Sequence, residues 1–369
     1  MRSIDSNSVY DRYTVGNSLG MDSQVSTFEQ LIYALRSKEH ASPSFRSTLD
    51  QMEREITDCS DHTHFLTVLL RTQGDRLNCL QDALLCLAAQ TDRDFDVICL
   101  VHNAEPESLL AVHALVASVP QWLRERIRVV EVNGGTRARP LNAGVEEARG
   151  SYIAVYDDDD LLFADWVEQF HTAAKAAPRR IIRACVVTQQ IEPAMWRSGA
   201  GLRSISLPEG TYPASFDPLD HFRQNRSPFM SLAFPRELFS VFGLRFDQTL
   251  DVCEDWDFLL QASQLCGVEQ AEAITAIYRR WNGGTHSAVT HSESVWRSNE
   301  KRIIAKLASS PVMLPTGSAH RLHRDVPETV VETVADSAQL EAILNSTSWR
   351  VTKPIRHAAR IAKRVRRRR

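Results

Sequence analysis

The chain has 369 residues, 43% hydrophobic and 24% charged, enough apolar material for one large globular domain with appendages. No run approaches the roughly 18 uninterrupted apolar residues of a membrane span, and the opening MRSIDSNSVYDRY lacks the apolar stretch of a secretory signal, so a cytoplasmic protein is expected. Seven scattered cysteines, odd in number and never spaced C-x-x-C, argue against a disulfide framework and a structural zinc site, and the net charge of −3 conceals ten Lys/Arg and no Asp/Glu in residues 345–369, which leaves −13 on residues 1–344.

Residues 1–60 are polar, with helices expected around Phe28–Leu35 and Ser44–Ile56. From residue 65 the pattern becomes regular: apolar FLTVLL (65–70), an amphipathic stretch Leu77–Gln90, the strand DVICLV (96–101), a helix over Glu105–Val119 and the strand IRVVEV (127–132). A Gly/Arg loop, NGGTRARP, leads to a short helix Leu141–Arg149 and to the strand Ser151–Tyr156, which ends in four aspartates, Asp157 to Asp160. A helix over Asp165–Ala177 and a strand in Ile181–Thr188 follow. Residues 190–228 lose periodicity and collect Gly, Pro, Trp and Arg, as substrate-binding insertions often do. Order returns with FMSLAF (229–234), a helix Arg236–Phe242 and the segment FDQTLDVCEDWDFLLQAS. Strands alternating with helices predict parallel pairing in an α/β sandwich, whose ligands bind beyond the carboxyl ends of the strands, where the aspartates fall.

Clustered carboxylates at a strand end suit a divalent metal that completes its shell with water and substrate phosphates. The same run also suits a solvated loop or a helix N-terminus.

Three segments, 65–103, 134–160 and 243–286, together resemble the inverting nucleotide-sugar glycosyltransferases of the GT-A fold, a large family that includes bacterial polysaccharide-building enzymes. The resemblance rests on Leu70–Arg76 at the first turn, Ala89-Gln90-Thr91, Gly134-Gly135-Thr136, Leu141-Asn142-Ala143-Gly144, Tyr156–Asp160 and Glu254-Asp255-Trp256-Asp257. It implies a Rossmann-like GT-A sandwich with a mostly parallel central sheet over residues 61–305. Flanking this would be a helical extension (1–60), a linker and helix (306–344) and a basic amphipathic tail (345–369). Where family members carry Asp-Asp-Gly-Ser, this chain has His102-Asn103-Ala104-Glu105, so the donor base is not inherited.

The resemblance further implies donor contacts from Thr72, Arg76, Asn103, Arg139, Asn142 and Asp157. Asp157 would touch ribose or a metal-bound water, Asp159 would ligate Mn2+ or Mg2+ with Asp160 in support, and His286 would complete the shell. Arg137 also stands in reach of a diphosphate. Asp255 becomes the base that deprotonates the acceptor hydroxyl, with Glu254 orienting the acceptor or the metal.

Near the end, Ala342–Thr352 resembles a Ser-x-Ser-Trp-Arg-x-Thr element of surface-polysaccharide glycosyltransferases. Beyond Pro354, Ile355, Ala358, Ala362 and Val365 share a face ringed by Arg and Lys, which reads as a basic amphipathic helix on an anionic membrane surface. No nucleic-acid partner is expected. The function expected is metal-dependent transfer of a sugar from a nucleotide-diphospho-sugar to a surface glycan or lipid-linked acceptor, at the inner face of the cell membrane. The rivals are a sugar nucleotidyltransferase, against which Thr72–Arg76 offers only one glycine, and a non-catalytic adaptor of the same fold.

Overall fold

The computed structural model describes residues 26–57, 62–196, 199–282 and 291–315, together with 318, 319 and 322. The chain divides into two compact units, residues 1–314 and 315–369. His286 and the basic tail lie outside the described residues. Among the described residues, no helix is long and apolar enough to cross a membrane.

Two helices come first, α1 (Thr27–Arg36) and α2 (Pro43–Thr57). Ser26 starts α1 through a capping box, its hydroxyl accepting from the Glu29 amide while the Glu29 carboxylate takes the Ser26 N–H. Ile32, Leu49 and Ile56 form a small core of their own that includes Val241 and Phe242, so the extension packs on the main domain. Arg179 clamps Glu29 at 2.6 and 3.0 Å and ties the two together.

β1 (His64–Thr72), β2 (Phe95–His102), β3 (Ile127–Val132) and β4 (Gly150–Asp157) pair in parallel. Their crossovers are α3 (Leu77–Ala88), α4 (Pro106–Ser118) with the short α5 (Gln121–Arg124), and α6 (Ala138–Glu147). Both sheet faces are covered, which is why β1 and β2 read as unbroken apolar runs rather than as alternation. Leu66, Val68 and Leu70 of β1 enter one core cluster with Leu80, Leu84 and Phe170, while Leu69 enters the other with Leu141, Phe234 and Phe258.

The second half adds β5 (Leu161–Leu162), α7 (Trp166–Ala176), β6 (Ile181–Trp196), β7 (Gly199–Ser204), α8 (Pro218–His221), β8 (Leu232–Pro235) and α9 (Glu237–Ser240). It ends with α10 (Glu254–Cys266), β9 (Val268–Trp281) and α11 (Glu293–Ala308). The sheet runs β3-β2-β1-β4-β8-β6-β9-β5, with β7 paired to β6.

The α/β sandwich expected from the resemblance is the fold found, with four departures. β8 runs antiparallel to both β4 and β6, so pairing is not parallel throughout. β6 continues past Thr188 to Trp196 and turns into a hairpin with β7, so the insertion begins as sheet. Phe229–Ser231 forms a 3-10 turn instead of strand. β9 was not foreseen, because its sequence VEQAEAITAIYRRW mixes Glu and Gln with alanines on a half-buried strand.

β1 and β4 are the adjacent central strands, and their register sets Arg71 opposite Asp157. That register depends on close backbone approach at Gly150, where an added Cβ would lie 2.4 Å from Thr67 N and 2.7 Å from Leu66 C. Gly150→Ala should therefore lower unfolding free energy by about 2–3 kcal/mol in urea titration. A loss below about 0.5 kcal/mol would show that the strands separate freely there.

Candidate active site

Arg71 is the last residue but one of β1 and is 8% exposed. Its Nε and Nη2 donate to the two oxygens of Asp157 at 2.8 and 3.0 Å, and Nη1 donates to Glu254 Oε1 at 2.9 Å and to the Arg137 carbonyl at 3.1 Å. One guanidinium thus joins β1, β4, α10 and the loop before α6. Burial works against this charge, but Asp157 and Glu254 outweigh it and hold Arg71 above its ordinary value. The Asp157 and Glu254 carboxyls are correspondingly held low despite their burial, Asp157 by Arg71 and Glu254 by Arg137 and then Arg71.

The four aspartates separate by environment. Asp158 and Asp160 are buried, each 1% exposed. Asp158 accepts from Thr72 Oγ1 at 2.5 Å and from Arg76 Nη2 at 2.7 Å, and burial pushes its carboxyl up to about 7. Asp160 accepts the Arg279 amide at 2.9 Å, and burial together with the charges of Asp159 and Asp157 raises it well above the usual carboxylate range. Asp157 and Asp159 keep 25% and 19% side-chain exposure. Asp159 Oδ2 takes both of that residue's hydrogen bonds, from Arg76 Nη1 at 2.6 Å and Trp281 Nε1 at 2.9 Å.

Glu254 and Asp255 open α10. The residue before them, Cys253, sits in the left-handed region at φ 66°, an unfavourable conformation for a side chain with a Cβ that marks a constrained turn. Glu254 is 2% exposed. Asp255 is half-buried; its Oδ2 accepts from Asn225 Nδ2 at 2.7 Å and its Oδ1 from the Trp256 amide at 2.8 Å. Burial and then the neighbouring Glu254 charge push the Asp255 carboxyl up to about 6.

A cavity of about 560 Å³ opens over Arg71 and the four aspartates; Glu254 and Asp255 are not among its lining residues. Arg71, Thr72, Arg76, Arg137 and Asp157–Asp160 line one part of it, and Tyr212, Tyr278, Trp281 and Trp296 another. Asp255 acts electrostatically on Tyr212 and Tyr278 of that wall. His291 lines the cavity as well.

Of the residues expected to hold the donor, Thr72, Arg76 and Asp157 line this cavity, whereas Asn103, Arg139 and Asn142 are not among its lining residues. Asn142 is a structural clamp instead: Nδ2 donates to the Phe246 carbonyl and Oδ1 accepts the Phe246 amide, both at 2.9 Å. Asn103 adopts φ 54° and its Oδ1 accepts the Gly134 N–H at 2.6 Å, bracing the glycine turn. Arg139 is exposed and folds over Gly135. Arg71 has no role in the expectations above, although a charged residue following the largely apolar run FLTVLL was a usable signal. Asn225 and Trp281 carried no such signal.

Residues 75–232 match the sequence model of Glycosyl transferase family 2. The succinoglycan biosynthesis protein ExoO of Rhizobium meliloti (strain 1021) is 31% identical over 174 residues, which cover 46% of this chain and 48% of ExoO. The chain thus spans about half the length of that relative. The uncharacterized glycosyltransferase YwdF of Bacillus subtilis (strain 168) is 26% identical over 215 residues, 58% of this chain and 74% of YwdF. Among solved structures, S. aureus TarS 1-349 in complex with UDP-GlcNAc aligns with a TM-score of 0.49 and 13% identity, covering 66% of this chain and 71% of that one.

Removing Arg71 would leave the buried Glu254 and the half-buried Asp157 without their shared cation. Arg71→Met should cost about 3–5 kcal/mol of folding stability in guanidinium titration. A change below 1 kcal/mol would mean that other groups already compensate Asp157 and Glu254.

Proposed function

We propose that this chain, whose residues 75–232 form a Glycosyl transferase family 2 domain, moves a sugar from a nucleotide-diphospho-sugar to a hydroxyl of a glycan or lipid-linked acceptor. The displacement would invert the anomeric centre, with Asp255 as base. The observation that carries this reading is a cavity lined by cations and by partly exposed aspartates, whose lining tyrosines Tyr212 and Tyr278 feel the charge of Asp255, a carboxylate held near neutrality just outside that lining. ExoO, by its name a succinoglycan biosynthesis protein, supports a polysaccharide acceptor.

A departing nucleoside diphosphate gathers negative charge, and fixed cations at its oxygens lower the barrier. Arg71, Arg76, Arg137, Arg279 and Arg280 line the cavity in position to supply this charge. The attacking hydroxyl must lose its proton as the glycosidic bond forms, and Asp255 receives it. Glu254, kept ionised by Arg137 and Arg71, raises the basicity of Asp255 from the next position in the chain.

For a divalent ion the residues fit a single-carboxylate anchor. Among the described residues, no group of three His, Cys, Asp or Glu converges to hold a metal. Asp157 gives both oxygens to Arg71, whereas Asp159 Oδ1 accepts no hydrogen bond among the described residues. Asp159 would therefore hold Mn2+ or Mg2+ together with water and the donor diphosphate, as hard cations with few protein ligands are held. Such an ion supplies Lewis-acid neutralisation of the leaving diphosphate.

Three outcomes are expected from a panel of nucleotide sugars assayed with and without Mn2+. Nucleoside diphosphate release should depend on the metal, fall at least about 100-fold in Asp255→Asn, and fall strongly in Asp159→Ala. Full turnover in Asp255→Asn would remove the base assignment. Because Asp255 acts only when deprotonated, kcat/KM should decline about tenfold per unit below pH about 6, the value to which burial lifts it. A profile flat from pH 5 to 8 would contradict this. For the tail, deleting residues 350–369 should weaken binding to anionic liposomes while leaving donor hydrolysis unchanged; equal binding by the truncated protein would remove the membrane partner.

A further inference from the structure

Arg183 on β6 is 1% exposed and pairs with no carboxylate among the described residues. Its guanidinium donates to neutral acceptors only: Ser227 Oγ, Gln270 Oε1 and Pro213 O at 2.7 Å, Arg226 O at 3.3 Å and Ala214 O at 3.4 Å. A buried cation without a countercharge is unfavourable, so its presence needs a compensating task. Three of its acceptors are backbone carbonyls of the loop from Pro213 to Arg226, which it grips at both ends.

The loop is fixed further by Ser227 and His221. Ser227 Oγ lies 2.9 Å from His221 Nε2, while His221 Nδ1 lies 2.8 Å from the Asp217 carbonyl. Burial lowers the His221 pKa to about 4, so the ring is neutral: Nδ1–H donates to Asp217 and Nε2 accepts the Ser227 hydroxyl. Ser227 Oγ is then free to accept from Arg183. Trp256 Nε1 donates to the His221 carbonyl at 2.7 Å and ties this arrangement to α10, next to Asp255.

The product of these contacts is the orientation of one amide. The Ser227 N–H donates to Asn225 Oδ1 at 3.0 Å, which fixes which end of the amide is oxygen, so the end facing Asp255 Oδ2 at 2.7 Å is the NH2 group. We infer that Asn225 is a positioning residue for Asp255, and that Arg183, acting through Ser227 and the loop carbonyls, holds Asn225 in place. This inference rests on Asp255 being the base. The Asn225 hydrogen bond favours the ionised carboxylate and sets its rotation, so that its remaining lone pairs stay available to the acceptor hydroxyl.

Other groups act on Asp255 too: Glu254 and Cys253 beside it in the chain, Arg137 from the loop before α6, Tyr212 from the insertion and Tyr278 from β9. Asn225→Ala leaves all of them in place. In the full-length protein, N225A should move the acid limb of kcat/KM upward by about one pH unit, the worth of one hydrogen bond to a charged group. Donor KM should stay unchanged and kcat should recover toward the unmodified protein above pH 8. Ser227→Ala should shift the limb in the same direction by less.

Carbon-13 NMR of aspartate carboxyls, with the Asp255 signal identified by its loss in D255N, should show the same upward shift without any substrate. An Asp255 titration unmoved in N225A would overturn the inference and leave the base assignment standing. Full transfer activity in D255N would overturn the base assignment and this inference with it.

Discussion

Much of the site depends on one guanidinium shared between carboxylates that the fold brings together from distant parts of the sequence. Arg71 stands next to the end of β1, Asp157 closes β4, and Glu254 opens α10, 183 residues beyond Arg71. The parallel register places the first two side by side, and α10 reaches them because Phe258 packs on Phe234, Phe239 and Phe246 beneath the sheet. Without a cation at their junction, the ionised Asp157 and Glu254 would repel and would also bear the penalty of burial. The apolar core therefore fixes where the acids stand, and Arg71 makes that placement tolerable.

Much of this was legible in the sequence, because strands buried on both faces leave continuous apolar runs and their ends are visible as turns. β1 to β4 and the helices between them all fall within a few residues of expectation. The same logic failed at β9, whose half-buried face carries Glu and Gln, and at β6, whose outer half leaves the core and loses the apolar signal. The antiparallel direction of β8 leaves no mark in the sequence, since four residues between a 3-10 turn and a short helix carry no sign of which way they run.

At the site, sequence identified residue types better than tasks. The aspartate run lines the cavity, and Glu254 is joined to it through Arg71. Within the run, however, burial divides four identical letters into two internal acids, Asp158 and Asp160, and two partly exposed ones. Asn142 illustrates the opposite error: its local motif suggests ligand contact, but residue 246, more than a hundred positions away, takes both ends of its amide. No reading confined to local sequence contains that partner. Arg183, Ser227 and Asn225 are invisible for the same reason, since their only pattern is spatial.

The contrast between Glu254 and Asp255 shows what this arrangement achieves chemically. Two adjacent carboxylates in the first turn of one helix share its dipole, so the helix alone cannot distinguish them. Arg137 and Arg71 hold Glu254 low despite burial, whereas Asp255, with no ion pair among the described residues, is raised by burial and by the charge of Glu254. Environments that push two neighbouring acids in opposite directions assign them different roles: the low one stays ionised as a fixed charge, and the raised one exchanges protons near neutrality. The hydrogen bond from Asn225 pulls Asp255 the other way, toward ionisation. Its basicity therefore reflects a balance between burial and Glu254 on one side and Arg137, the Trp256 amide and Asn225 on the other. That balance can be changed at the insertion loop without touching the arginines that face the cavity.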